Sequence, residues 1–173
     1  MKKKNKNLQP IKNILDKYKI DWFPLKFTEK KFLLIKILDF TKIIIFPIIL
    51  YFFNKFKVTH CRGHLPSFSG LILKKIFKVK FIFDCRGLWA DERVDNKSWN
   101  LKKNLHSKVY LFFKYFEKKF FYYADHTIVL TENLKYFLYF NYKVYKSKIT
   151  VIPCVADYDK FRLLKPYEIN SLK

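Results

Sequence analysis

Val79-Lys80-Phe81-Ile82-Phe83-Asp84 runs directly into Cys85-Arg86-Gly87-Leu88-Trp89-Ala90-Asp91-Glu92-Arg93-Val94-Asp95. The first six residues read as the clearest strand in the sequence, because aromatic and β-branched side chains favour a pleated, packed surface. The stretch that follows is polar: Asp84 to Asp95 holds four of the chain's fourteen acids and two of its arginines. A strand that ends in a long charged loop is the pattern of an α/β sheet whose functional residues sit at strand ends.

Working outward, the same pattern recurs. Upstream, Ser67 to Phe77 reads as a helix whose start is marked by Pro66 and Ser67, and Lys57 to His60 as a short strand. Downstream, Trp99 to Tyr123 has helical spacing of aromatic residues, His126 to Leu130 is a strand, Glu132 to Phe140 a helix, and Lys148 to Ile152 a strand closed by Pro153. Towards the amino terminus, Leu8 to Tyr18 is helical, Asp21 to Phe27 is extended around Pro24, and Glu29 to about Phe53 is a long helix carrying Pro47. Alternating strands and helices predict an α/β, Rossmann-like parallel sheet with helices on both faces. Polar residues cluster after the strands: His60, Arg62 and His64 after one; Asp84, Arg86, Asp91, Glu92 and Arg93 after the next; Thr131 and Glu132 after the third; Cys154 and Asp157 after the last.

The length, 173 residues, fits a single domain and not a two-domain enzyme of ordinary size. Half the residues are hydrophobic, which excludes a disordered tail. The net charge of +22 comes from 36 basic and 14 acidic residues. Such a charge suggests an anionic partner, but only Arg62, Arg86, Arg93 and Arg162 are arginine, the side chain that suits bidentate reading of bases and phosphates. The excess is lysine in a chain rich in Ile, Asn, Phe and Tyr, as AT-rich coding would give, and this argues against nucleic acid as the partner. Against that bias, Arg62-Gly63 and Arg86-Gly87 retain two of four arginines and two of three glycines at strand ends. No glycine pair has the spacing of a Walker or dinucleotide loop.

Met1 to Lys4 has the charge of a signal-peptide n-region, but Asn5 to Lys19 lacks an apolar core. The longest apolar run, Ile43 to Phe53, would span roughly 16 Å as a helix against the roughly 30 Å of a bilayer core; it reads as a buried helix, with a helix lying in the membrane interface as the alternative. Cys61, Cys85 and Cys154 are odd in number and lack CxxC spacing, as in a reducing compartment. The expected location is the cytoplasm, with peripheral contact at the inner face of the membrane.

Several constellations admit two readings. In the Asp84 to Asp95 loop, carboxylates suit sugar hydroxyls, an arginine suits an anionic group and Trp89 suits a sugar face; alternatively Arg86 and Arg93 pair with Asp91 or Asp95 and pin the loop. His60, Cys61 and His64 are too close in sequence to converge on a metal without a fixed turn, and no fourth ligand is indicated. A Cys–His nucleophilic pair has no supporting motif. His106 and His126 read as surface and strand-edge residues, and the aromatic residues from Tyr110 to Tyr123 as core.

Taken in order, His60-Cys61-Arg62-Gly63, Phe81 to Glu92, Glu117 with Ala124-Asp125 to Thr131, and Ile149 to Pro153 with Asp157 and Phe161 resemble the amino-terminal domain of GT-B glycosyltransferases, and within them the large fourth family, which retains anomeric configuration. The resemblance runs from about Ile14 to Phe161. It implies two Rossmann-like domains, the first holding the acceptor and the second the nucleotide sugar, with no cofactor and with a role in cell-envelope polysaccharide. Pro153-Cys154-Val155-Ala156-Asp157 departs from the family's usual Ile-Pro-Asn-Gly-Val-Asp at Cys154 and Val155.

By this resemblance, residues 1–161 are an acceptor-side domain that lacks the family's first strand and glycine loop, and residues 162–173 begin a connection to a donor domain on an absent or separate piece. The expected function is the acceptor-side portion of an enzyme moving sugar from a nucleotide-sugar donor to a sugar or lipid-linked acceptor, inactive alone. The expected substrate-binding residues are His60, Arg62, His64, Asp84, Arg86, Asp91, Glu92 and Thr131; catalytic residues are not assigned and no metal is expected. The competing expectation is a non-catalytic basic module for a membrane surface or RNA.

Overall fold

The computed structural model describes residues 8–28 and 32–155. They fall in two compact units, Met1–Lys42 and Ile43–Lys173. In the first, α1 (Gln9–Lys17) follows the expected helix, and residues 18–28 form no strand. The helix α2 (Leu33–Asn54) begins in the first unit and ends in the second, passing through Pro47 without interruption. Its start anchors the preceding segment, because the backbone N–H of Thr28 donates to Asp39 Oδ2 at 3.0 Å. The expected start of α2 at Glu29, like Asp157 and Phe161, lies outside the described residues.

The second unit holds a four-stranded sheet in the order β1 (Val58–Arg62), β2 (Lys80–Cys85), β3 (His126–Val129), β4 (Ile149–Val151), every pair parallel. Helices α3 (His64–Phe77), α5 (Asn104–Tyr123) and α6 (Glu132–Tyr142) make the three crossovers. The α/β, Rossmann-like parallel sheet expected from the alternation is thus observed. Neighbouring strands that follow chain order, joined by right-handed crossovers, place successive helices on the same face. That face carries Cys61, Phe81, Phe83, Cys85, Thr127, Val129 and Ile149, all buried. The other face carries His60, Arg62, Ile82, Asp84, His126, Ile128 and Thr150, of which only Asp84 is buried among the described residues.

Period-2 alternation decides which residues enter the core. In β2, Phe81, Phe83 and Cys85 are fully enclosed, and Phe83 packs against Phe120 and Phe121 of α5 at ring distances of 5.6 and 5.0 Å. Phe68 of α3 extends the cluster to Phe116 at 4.8 Å and Phe120 at 5.1 Å. Of the aromatic run on α5 that the sequence reads as core, Phe120 and Phe121 are buried and Phe113 and Phe116 half-buried, whereas Phe112, Tyr115 and Tyr122 are exposed. Asp125, at the turn into β3, accepts from the backbone N–H of Phe81 at 2.8 Å and from Lys74 Nζ at 2.6 Å. Burial pushes its carboxyl up, but these donors outweigh that and hold it below the usual range.

Most strand ends shift by one or two residues from the sequence reading, β1 running on through Arg62, and two helix starts shift further. α3 starts at His64, three residues ahead of Ser67, because Gly63 turns the chain directly out of β1 and Pro66 is tolerated in a first turn. α5 starts at Asn104, with bends and turns from Trp99 to Lys103 where a helix was expected. Within the expected polar loop lies a further helix, α4 (Trp89–Asp95), with Asp91 and Glu92 in its first turn and Arg93 in its last, the arrangement the helix dipole favours.

Glycine scarcity leaves a mark on the helix ends. α3 and α6 both end on a left-handed lysine, Lys78 (φ 59°) and Lys143 (φ 55°), a position glycine usually fills. In each case the next residue, Val79 or Val144, is buried and its N–H closes on a carbonyl of the last turn, Leu73 O or Leu138 O, at 3.3 Å. Lys78→Gly is expected to raise the unfolding free energy by about 0.5–1 kcal/mol, since the strain of a left-handed side chain exceeds the added freedom of the unfolded glycine. Gly70 behaves in the opposite way: a Cβ there would lie 2.5 Å from the Phe81 ring and 2.8 Å from Cys61 Sγ. Gly70→Ala should therefore cost about 1–3 kcal/mol despite alanine's helix preference. Urea denaturation of both variants checks these opposite signs.

Candidate functional site

Because β1 and β2 are parallel with Arg62 opposite Asp84, their carboxyl ends open on the same edge of the sheet. His60, Arg62 and Asp84 share one face by alternation, and Arg86 follows on the loop. His60 Nε2 stands 3.4 Å from Asp84 Oδ2, the imidazole half-exposed and the carboxylate buried. Arg86 Nε lies 3.3 Å from Asp84 Oδ1. That contact lacks hydrogen-bond geometry, so among the described residues the buried Oδ1 and Nε have no hydrogen-bond partner. Arg86 Nη1 reaches across β3 to Cys154 Sγ at 3.4 Å, beyond the end of β4. Arg62 is exposed and has no ion-pair partner among the described residues.

Gly63 completes the turn from β1 into α3. Its φ of 83° and ψ of 178° belong to a region that essentially only glycine occupies, and its N–H donates to Asp84 O at 2.8 Å, extending the β1–β2 ladder by one residue. At Gly87 a side chain would collide with the Glu92 carboxylate, which folds back over this glycine from the first turn of α4. Glu92 is exposed. Thr131 stands at the end of β3, where its Oγ1 accepts from Leu134 N–H at 3.2 Å and caps α6.

The other two expected residues point inwards. His64 is buried, and its Nε2 lies 2.9 Å from Glu117 Oε2. Glu117, fully buried on α5, also accepts from Lys114 Nζ and Tyr142 OH, both at 2.6 Å. Lys114 in turn binds Asp91 Oδ2 at 2.8 Å, and Tyr110 OH donates to Asp91 Oδ1 at 2.7 Å. Asp91 thus anchors α4 to α5. Burial pushes the Glu117 carboxyl up, but donors from His64, Lys114 and Tyr142 outweigh that and hold it below its ordinary range. A carboxylate only accepts, so His64 Nε2 carries the hydrogen. The Tyr142 hydroxyl is pushed up to about 12, by burial first and then by Glu117. Sequence reading did not give Lys114 or Tyr142 a place; the available sign was an acid, Glu117, at helical spacing from Phe113, Phe120 and Phe121 on an apolar stripe.

The alternative pairing of Arg86 or Arg93 with Asp91 or Asp95 is not found among the described residues. Arg86 sits on Asp84, Arg93 lies over the Trp89 ring at 5.0 Å, and Asp91 is occupied by Lys114 and Tyr110. Trp89 packs against Phe113 at 4.7 Å and Trp99 at 5.3 Å, so it holds α4 in place. Cys61 and Cys85 are buried. Burial pushes the Cys85 thiol up to about 12, which keeps it protonated and poorly nucleophilic at neutral pH. Among the described residues, no three His, Cys, Asp or Glu side chains converge as a metal site needs. His106 Nδ1 accepts from Asn100 N–H at 2.9 Å and His126 Nε2 meets Thr150 Oγ1 at 2.8 Å.

The sequence model of Glycosyltransferase Family 4 matches residues 13–160, most of the chain and both strand ends just described. The chain belongs to glycosyltransferase family 4. A glycosyltransferase from Rickettsia africae ESF-5, known from its crystal structure, is similar at 19% identity and a TM-score of 0.43, over 94% of this chain and 37% of that one. The chain thus spans little more than a third of that protein's length. No curated protein matches it.

In this family 4 chain the buried Glu117 cluster has a direct consequence for acid stability. A carboxyl held below its unfolded value stabilises the fold above that value, near 4.5, and the contribution is lost as pH falls through the lower folded value. Glu117→Gln leaves Lys114 without its buried counter-charge and is expected to lower stability at pH 7 by about 3 kcal/mol. It should also flatten the pH dependence below 4.5. Unfolding free energies measured between pH 3 and 7 check both.

Proposed function

We propose that this chain is the acceptor-side domain of a glycosyltransferase that moves a sugar from a nucleotide-sugar donor to a hydroxyl of a sugar or lipid-linked acceptor. Residues 1–161 form that domain, and the donor is held by a second domain outside them. The observation that carries the reading is the joint position of His60, Arg62, Asp84 and Arg86 at the carboxyl edge of a parallel sheet, the usual ligand edge of such sheets, in a chain matched by this family.

Each group has a chemical role that follows from its surroundings. Asp84 is buried behind His60 and orients the half-exposed imidazole towards solvent, where it meets the acceptor hydroxyl. Arg62, exposed and without an ion-pair partner among the described residues, receives an anionic acceptor group such as a phosphate. Glu92, folded over Gly87, accepts from sugar hydroxyls. The buried Asp84 Oδ1 and Arg86 Nε are the kind of unsatisfied pair that a ligand group or water completes. The protein's contribution to the reaction is then to hold the acceptor in line and to stabilise developing charge. His64 and Asp91 act behind these residues through Glu117 and Lys114.

The three glycines make this testable residue by residue. Gly63 and Gly87 lie in the two site loops, whereas Gly70 is buried under Phe81. In a chain labelled with ¹⁵N-glycine, titration with hexose phosphates and geranyl phosphate should shift the Gly63 and Gly87 amides and leave Gly70 in place. Arg62→Gln should weaken the anionic probes by about tenfold, as expected for losing a charge-assisted hydrogen bond. Movement of Gly70 alone, or no shift at millimolar probe with the fold intact, would remove the acceptor site from this edge.

A further inference from the structure

Phenylalanine and tyrosine separate on α5. Phe120 and Phe121 are buried, whereas Tyr115 and Tyr122 are exposed by 57 and 76%. Those two tyrosines are seven residues apart, which puts them on one side of the helix at about 10 Å from each other. Lys118 and Lys119 stand between them at spacings of three and four, on the same side. With Asn141 and Tyr142 at the end of α6 they line an open cleft of about 400 Å³, within the usual size of ligand sites. Several of these groups are already held in place. The Tyr142 hydroxyl donates to Glu117 Oε1 at 2.6 Å and accepts from Lys114 Nζ at 2.9 Å. Asn141 Nδ2 donates to Phe137 O at 3.0 Å, which leaves Oδ1 as an acceptor. Lys119 Nζ lies over the Tyr115 ring at 5.2 Å, and Lys118 is exposed with no ion-pair partner among the described residues. No acid lines the cleft. Glu117, the one acid of α5, is fully buried, and Glu132, the one acid of α6, stands nine residues before Asn141 and beside Lys135.

We propose that this cleft binds an acidic oligosaccharide, a short chain of sugar rings that carry carboxylates. A sugar ring has an apolar C–H face that suits a tyrosine ring, and hydroxyls that suit the tyrosine O–H and the Asn141 oxygen. Two platforms about 10 Å apart need more than one ring to cover both, which selects a chain over a single sugar. The lysines between the platforms, with no competing acid, supply charge-assisted hydrogen bonds to carboxylates on that chain. Single-stranded RNA is the other polyanion that aromatic and basic groups take up. Both cations of the cleft are lysine, however, and α5 and α6 hold no arginine, the side chain that stacks on rings and forks onto phosphate. Membership of a glycosyltransferase family also favours the glycan. The cleft is separate from the candidate acceptor edge: α5 ends at Tyr123, where the chain turns into the amino end of β3, whereas His60, Arg62 and Asp84 stand at the carboxyl edge. The assignment therefore does not rest on the acceptor reading.

Fluorescence anisotropy of labelled tetragalacturonate titrated with the full chain tests it. Unlabelled tetragalacturonate should displace the label, and neutral maltotetraose should do so at least about tenfold more weakly, as the loss of charge-assisted contacts implies. Tyr122→Ser and Lys118→Gln should each weaken binding by about tenfold. Lys102→Gln, which removes the same charge from an exposed position on the turn before α5, should leave it unchanged; far-ultraviolet circular dichroism of each variant establishes that it is folded. In a chain labelled with ¹⁵N-tyrosine and ¹⁵N-glycine, tetragalacturonate should shift the Tyr115 and Tyr122 amides. Equal loss with Lys102→Gln, or no binding by the folded wild-type chain at millimolar glycan, would overturn the proposal. So would displacement of the label by a short oligouridylate or by phosphatidylglycerol vesicles more readily than by tetragalacturonate, because the cleft would then take nucleic acid or lipid. Shifts confined to Gly63 and Gly87 would move the acidic glycan to the strand edge, ending this assignment while leaving the acceptor reading in place.

Discussion

The parallel pairing of β1 with β2 is the constraint on which the remaining structure depends. Its register sets Arg62 opposite Asp84, and the N–H of Gly63 on Asp84 O carries the ladder one residue into the turn. Parallel strands must be joined by a crossover, and α3 supplies it, pressed so close that Gly70 has no room for a Cβ against Phe81. Alternation then divides the chemistry. Cys61, Phe81 and Phe83 go inwards to meet α3 and α5, while His60, Arg62 and Asp84 remain on the opposite face at the carboxyl edge. One slip in register would exchange these two sets.

A second constraint lies beneath the site. His64, Lys114, Glu117 and Tyr142 join α3, α5 and α6 through one buried carboxylate, and Lys114 extends the junction to Asp91 on α4. Burying such groups costs several kcal/mol per ion unless each is satisfied, and here both Glu117 oxygens are engaged. The cluster therefore contributes less to total stability than to placement. It fixes the start of α3, hence the turn at Gly63, and the start of α4, hence the position of Glu92 over Gly87. Both loops of the candidate site rest on it.

Much of this was legible in the sequence, and the gaps have physical causes. Phe81-Ile82-Phe83 marked β2, and the strand–helix alternation carried the parallel fold. α4 escaped because seven residues are too few to show helical periodicity, and the start of α5 was misplaced because Trp99 packs on Trp89 and Phe113 from a turn. His60 and His64 look equivalent in His60-Cys61-Arg62-Gly63-His64. The change from strand to helix at Gly63 separates them, leaving one at the edge and turning the other to Glu117. Asp91 and Glu92, adjacent on α4, divide in the same way between α5 and the site loop. The resemblance to glycosyltransferase family 4 lay in the order of four short motifs, and the family model over residues 13–160 establishes the membership.

Donor dependence tests the acceptor-side assignment most directly. Calorimetric titration of the purified chain with UDP-, GDP- and TDP-sugars should give no binding at low micromolar concentration. Sugar transfer should appear only when a family 4 donor domain is added in trans, and should fall when Arg62 or His60 is replaced. Turnover of a nucleotide sugar by the chain alone would contradict the assignment.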